Sequence, residues 1–125
     1  MEKKVSIKDI AKEVGVSTAL VSYVLNNKEK EARVGKQIAE KVRRVARRLN
    51  YSPNLIARSL QSGRTNTLGL IVADISNPFF SYIARVIEDA ANQHGYTVII
   101  GSSDEQASKS ASLINAFLNR QVDGL

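Results

Sequence analysis

The stretch from Ser6 to Asn26 constrains this chain most, because it holds two short apolar-faced segments broken by a single glycine. In the first, Ile7, Ile10, Ala11 and Val14 recur at i, i+3, i+4 and i+7, the repeat of one helix face. Ser6 followed by Asp9 forms a capping-box pattern, with Asp in place of the usual Glu or Gln. Gly15 then stands where a helix end needs a positive φ. Ser17 opens the second segment as an N-cap, its hydroxyl placed to accept a backbone N–H that the first turn leaves unpaired. There Val21, Val24 and Leu25 form an apolar face. Thr18, Ala19, Ser22, Tyr23 and Asn26 fall on the other face, which is small, uncharged and rich in hydrogen-bonding groups. A solvated helix more often carries Lys and Glu there, so this one is suited to close approach to a partner.

Two short helices joined by a Gly-containing turn form a helix-turn-helix, whose second helix enters the DNA major groove. Two core helices of a bundle would share the spacing. The charge distribution separates the readings. Residues 1–64 hold 15 Lys or Arg against 6 Asp or Glu, a net +9; residues 65–125 hold 3 against 6, a net −3. A basic front half on a mildly acidic rear half points to a polyanion-binding headpiece attached to a separate domain. There is no Cys for a disulfide framework or a thiolate metal site. No eighteen-residue apolar run and no signal-peptide core is present, so a cytosolic location is expected.

Residues 27–33 read as a polar, mixed-charge loop near the phosphate backbone. Residues 35–50 read as a third helix with Ile38, Val42, Val45, Ala46 and Leu49 along its seam and a Lys/Arg-rich remainder; Gly35 is a weak cap. The headpiece core is expected from Ile7, Ile10, Val14, Val21, Val24, Ile38, Val42 and Leu49. In the next stretch Ser52 is placed as an N-cap, Pro53 at the first helical position and Gly63 at the stop. The helix between them, residues 53–61, is too short to be stable alone in water. With Ile56, Ala57 and Leu60 on one side, it is expected to order only against a partner or DNA.

Leu68–Ala73 is a continuous apolar run suited to a buried parallel strand. A loop, 74–80, follows at its C-terminal end. Residues 79–94 read as a helix with Ile83, Val86, Ile87, Ala90 and Ala91 inward, and residues 96–101 as a second buried strand. Residues 105–121 read as a helix with Ala111, Ile114, Phe117 and Leu118 inward, and 122–125 as the start of a third strand. This is a β-α-β-α-β run with parallel strands. In such sheets ligands sit at the carboxyl ends of the strands, here 74–80 and 102–105.

The Gly-Val-Ser…Val-Ser…Val-Leu-Asn pattern of 15–26 closely resembles the bacterial lactose-repressor/galactose-repressor family of transcription regulators. So do Leu49-Asn-Tyr-Ser-Pro-Asn54, Ile56-Ala57…Leu60, Leu68-Gly-Leu-Ile-Val72, Asp74-Ile-Ser-Asn-Pro-Phe-Phe80 and Gln121-Val-Asp-Gly-Leu125, in this order along the whole chain. The resemblance implies a helical helix-turn-helix headpiece at 1–50 and a hinge helix and linker at 51–64. Residues 65–125 would be the first β-α-β-α-β part of a periplasmic-binding-protein-like α/β regulatory domain. It implies a dimeric, sequence-specific regulator of the repressor kind, nucleoid-associated, whose partners are double-stranded operator DNA and a small effector such as a sugar or nucleobase. Carried over, Thr18, Ala19 and Tyr23 match base-reading positions, and Ser17, Ser22 and Asn26 match phosphate contacts. Ser6, Arg33, Asn54 and Ala57 join the DNA-binding set. Leu60 matches a hinge leucine that wedges into a base step, and Asp74, Asn77, Phe79 and Phe80 match the effector cleft.

The sequence departs from the pattern in three places. Tyr23 stands where many members carry Arg, so bidentate reading of guanine is not expected there. The loop 27–33 is longer than in the shortest members. The family's core domain continues well past what 65–125 supplies. An ordered 5–50 unit with a loosely packed or self-associating remainder is therefore expected, with poor operator affinity and no effector response.

Two other readings remain. An enzyme on a doubly wound sheet would need a Gly-rich phosphate loop after Leu68–Ala73, where Asp-Ile-Ser-Asn-Pro stands instead. His94, the single His, ends a helix where a cation suits the dipole. Asp104 and Glu105 are helix-start charges that point apart. No enzyme activity, cofactor or metal is expected. A small-molecule sensor with a merely anchoring basic segment would bind no DNA.

Overall fold

The computed structural model describes residues 3–125. They form two compact units, one ending at Pro53 and the other beginning at Asn54.

The first unit holds α1 (Ile7–Val14), α2 (Thr18–Leu25) and α3 (Lys36–Arg48). Gly15 ends α1 at φ 81°, a left-handed conformation that a Cβ disfavours, and its N–H returns to the Ala11 carbonyl. The chain can therefore turn at once into α2. Ile10, Val21, Val24 and Val42 are fully buried, and each side chain so buried contributes about 1.5–3 kcal/mol. Ala11, Ala39, Val45 and Ala46 complete the core, with Val5, Ile7, Val14, Leu20, Leu25, Leu49 and Tyr51 packed around it. Ile38 is not part of it: the side chain is 41% exposed and Ala39 points inward instead. The small Ala39 lets α3 lie close on α1 and α2, which turns its larger neighbour to the rim.

The second unit holds α4 (Leu55–Ser62), β1 (Thr67–Val72), α5 (Pro78–Gln93), β2 (Thr97–Ser102) and α6 (Ala107–Asn119). Helix α4 starts two residues later than Ser52 and Pro53 predict. Asn54 is its cap, with Oδ1 accepting from the Ile56 and Ala57 N–H groups at 3.1 and 3.3 Å. Gly63 closes the helix, and no residue in it is buried. Order only against a partner was expected; the helix stands formed in the single chain, held by its two caps.

Strands β1 and β2 pair in parallel from Thr67↔Thr97 to Val72↔Ser102. The third strand amounts to one parallel bridge, Leu68↔Gly124, on the free side of β1. The strands are not buried along their length: in β1 Gly69 and Val72 are buried, in β2 no residue is. Gly69, Ile71, Ile99 and Gly101 share one face, and α6 lies against it. A Cβ at Gly69 would meet Phe117 at 2.5 Å, and one at Gly101 would meet Leu113 at 2.7 Å.

These two glycines explain the orientation of α6. Leu113 and Phe117 lie flat on bare backbone, while Ala111, Ile114 and Leu118 are exposed, contrary to expectation. The helix also starts at Ala107, since Asp104 and Glu105 are both left-handed, at φ 52° and 58°. In α5, Ala84 and Ala91 are buried with Ile83 and Ile87 half-buried, while Val86 and Ala90 face outward. Both helices carry apolar residues on more than one side, so periodicity alone does not pick the inner face. His94 is the C-cap of α5, its Nδ1 2.9 Å from the Ala90 carbonyl oxygen.

Candidate nucleic-acid interface

The exposed face of α2 is built from its ends. Ser17 Oγ accepts from the Leu20 N–H at 3.2 Å and fixes where the helix begins. Thr18 and Ala19, in the first turn, are exposed, and Tyr23 follows on the same side at 46% exposure. Ser22 is half-buried. Asn26 caps the far end, its Nδ2 donating to the Ser22 carbonyl at 2.8 Å and reaching Ser22 Oγ at 3.4 Å. Helix α2 carries no charged residue, and its opposite side, Val21 and Val24, is fully buried. The polar face therefore cannot rotate away without emptying the core.

The same unit carries exposed cations. Lys28, Lys30 and Arg33 follow α2, and Lys36, Lys41, Arg44 and Arg47 stand on α3. Ser6 caps α1: its N–H and hydroxyl both donate to Asp9 Oδ2, at 2.8 and 3.0 Å. Ser6's backbone N–H, more than its hydroxyl, holds the Asp9 carboxyl below its ordinary value. Arg33 sits in a left-handed turn at φ 53°.

Sequence reasoning missed a brace across this unit. Arg43 Nη2 donates to Glu29 Oε1 at 2.7 Å, Asn27 Oδ1 at 3.1 Å and the Val24 carbonyl at 3.2 Å. The guanidinium bond, first of several causes, lowers the Glu29 carboxyl pKa. Arg48 similarly pairs with Glu13. No local spacing rule couples residues fourteen or more apart, so the charges of α3 read as plain solvation.

In the second unit, Asn54 caps α4, and Ala57 and Leu60 are exposed on that helix, Leu60 at 78%. Asp74, Asn77, Phe79 and Phe80 lie where β1 runs into α5. Asp74 Oδ1 accepts from the Ser76 N–H and hydroxyl at 2.9 and 2.7 Å, the hydroxyl bond being the main cause of its lowered pKa. Asn77 Oδ1 caps α5 by accepting from the Phe79 N–H at 3.0 Å. Phe79 and Phe80 meet edge to face at 5.2 Å, with Phe79 exposed and Phe80 half-buried. The end of β2 is tied in, since Ser102 Oγ accepts from the Ile75 N–H. A second tie that the sequence hides is Asp123, which accepts from the Thr65 and Asn66 N–H groups at 2.9 Å each. Those bonds, Thr65's first, hold its carboxyl below the ordinary range.

Among the described residues no group of His, Cys, Asp and Glu could hold a metal ion, and no helix is long and apolar enough to cross a membrane.

Residues 6–54 match the model of bacterial regulatory proteins of the lacI family. Residues 65–125 match that of periplasmic binding proteins and sugar binding domains of the same family. The chain belongs to the lacI family. Both halves of this lacI-family chain carry the assignment, the headpiece and the α/β unit alike. Catabolite control protein A of Staphylococcus xylosus is 44% identical over 97% of this chain, which covers 36% of that protein. The ribose operon repressor of Halalkalibacterium halodurans is 42% identical over 96% of the chain and 35% of its own length. A crystal structure of the lac repressor dimer bound to operator and the anti-inducer ONPF matches with a TM-score of 0.87 at 27% identity, over 98% of this chain and 37% of that one. The chain thus spans about a third of the length of the relatives it matches.

Proposed function

We propose that this chain is the DNA-reading front of a transcription regulator of the repressor kind, acting as a homodimer on double-stranded operator DNA. The observation that carries this reading is the uncharged, exposed face of α2, backed by a fully buried seam in a unit rich in exposed cations. Such a face offers hydrogen bonds and methyl contacts to base edges, while the cations neutralise phosphates. Thr18, Ala19 and Tyr23 read bases. Ser6, Ser17, Ser22, Asn26 and Arg33 contact the backbone. Asn54, Ala57 and Leu60 of the hinge address the minor groove, Leu60 as an apolar wedge.

The domain division follows the same roles: headpiece 1–50, hinge 51–64, regulatory part 65–125. Asp74, Asn77, Phe79 and Phe80 form one wall of a site for a small effector, a sugar or nucleobase, in the full-length protein. The sugar is favoured by the relatives, one named for the ribose operon and one seen with an anti-inducer. The protein works in the cytoplasm on nucleoid DNA and is not an enzyme: its relatives are regulators, and Asp74-Ile-Ser-Asn-Pro78 offers no phosphate-cradling loop.

The test is selection of bound half-sites from randomised duplex DNA, with salt titration of the winning sequence. If each half-site neutralises about five phosphates, log K falls with log salt at a slope of about −4 to −5. Thr18→Ala and Tyr23→Ala each alter the selected sequence and cost about 1–3 kcal/mol at the cognate position. A slope near zero, as a pure small-molecule sensor would give, or identical selected sequences for all three proteins, overturns the reading.

A further inference from the structure

The loop between α2 and α3 is too ordered to be a passive linker. The Lys28 N–H donates to the Tyr23 carbonyl, Ala32's to Lys28, and Val34's to Glu29, at 2.8, 3.1 and 2.8 Å. Two non-glycine residues, Asn27 and Arg33, adopt positive φ of 56° and 53°. An arginine in that conformation is disfavoured and persists where its surroundings impose it. The side chain that ties α3 to this loop is that of Arg43. Three acceptors converge on its Nη2 from three places: the last turn of α2 at Val24, the residue after the cap at Asn27, and the middle of the loop at Glu29. Glu29 is committed to this bond, because its other oxygen, Oε2, is buried with no partner. A carboxylate in that position is costly without the guanidinium beside it. The residues that alternate with the brace are cations: Lys28 and Lys30 flank Glu29, Arg33 follows, and all three are exposed.

We propose that Arg43 is a positioning residue for DNA binding: by clamping Glu29, Asn27 and the end of α2, it holds Lys28, Lys30 and Arg33 as a phosphate-binding edge beside the reading face. The inference rests on the DNA-binding reading above. On it, Arg43 touches no DNA; its charge is spent on Glu29, and the three loop cations do the neutralising. If they meet about two phosphates, the edge supplies about 1.8 of the salt slope, or roughly thirtyfold in affinity at about 0.15 M salt.

The experiment measures fluorescence anisotropy of the 125-residue chain on a labelled random-sequence duplex across a salt series. It compares wild type with Arg43→Met, Glu29→Ala and the triple variant Lys28→Gln/Lys30→Gln/Arg33→Gln. Glu29→Ala guards against misfolding, since it removes the carboxylate whose Oε2 is buried and leaves a partly exposed guanidinium that water can satisfy. All three are expected to lose about 1 to 2 of slope and about tenfold or more in affinity. Combining Glu29→Ala with Arg43→Met is expected to cost no more than either alone, because one clamp is broken once. Tighter binding by Glu29→Ala together with weaker binding by Arg43→Met would mean that Arg43 itself meets phosphate, and would overturn the proposal. An unchanged slope in both, with a lowered melting temperature, would make the brace purely structural and also overturn it. Wild type binding with its full slope keeps the DNA reading in either case; wild type with no salt-dependent binding removes both.

Discussion

Single residues decide how closely the backbones of this chain approach. Gly69 has Phe117 lying where its Cβ would be, at 2.5 Å, and Leu125 at 2.9 Å. Gly69→Ala is therefore expected to overpack the joint between β1 and α6 and to cost about 1–3 kcal/mol, read as a lower denaturation midpoint of the 54–125 unit. A neutral result would mean that Phe117 has another rotamer at no cost. Asp123 works by charge at the same edge, accepting from the Thr65 and Asn66 N–H groups. Its folded pKa lies below its ordinary 3.8. The stabilisation is thus full above that value and is lost as pH falls through it towards the depressed one. Asp123→Asn keeps an acceptor but does not titrate. The stability gap between wild type and this variant is expected to close between about pH 5 and pH 2 in acid denaturation followed by circular dichroism. Parallel curves would show that the clip carries no titrating charge.

At the scale of elements, α4 differs from the rest because its ends and not its faces hold it. Leu55, Ile56 and Leu60 are all more than 70% exposed, so the Asn54 cap and the Gly63 stop carry its order. Asn54→Ala is expected to cost about 1 kcal/mol of helix stability, enough to melt eight residues that nothing packs against. Loss of helical Cα chemical shifts over Leu55–Ser62 in NMR would record it. Leu60→Ala leaves those shifts in place and weakens operator binding more than binding to random DNA; equal losses on both would remove the wedge. This helix also shows where sequence reading stops. Ser17, Gly15 and Asp9 were legible because a cap acts within three or four residues. The sequence places Ser52 as the cap of α4, and Asn54 takes that place because its side chain is the one that finds two N–H groups. Helices α5 and α6 offered too many apolar residues for periodicity to choose among, and in α6 the inner face depends on the bare backbone at Gly69 and Gly101. The candidate site was legible wherever it lies on α2. Arg43, Glu29 and Asp123 were not, because their partners are 14 to 58 residues away.

At the scale of the molecule, burial divides as unevenly as charge does. The unit ending at Pro53 has four fully buried branched side chains, Ile10, Val21, Val24 and Val42, interlocked from all three helices. In the unit from Asn54 the buried apolar side chains are Val72, Ala84, Ala91 and Phe117, two of them single methyl groups. Meanwhile Phe79, Tyr82, Val86 and Leu118 are each at least half exposed, and β2 carries no buried residue. Apolar area removed from water is the main source of stability, so the two units differ in local opening energy. Native-state hydrogen exchange is therefore expected to find the slowest amides in α1, α2 and α3, with those of β1 and β2 exchanging earlier. The exposed side chains add a second expectation: sheet protection rises with protein concentration, as association covers them, while headpiece protection does not. A sheet that outlasts the headpiece at every concentration would mean that the parallel pairing, and not side-chain burial, sets the order of opening.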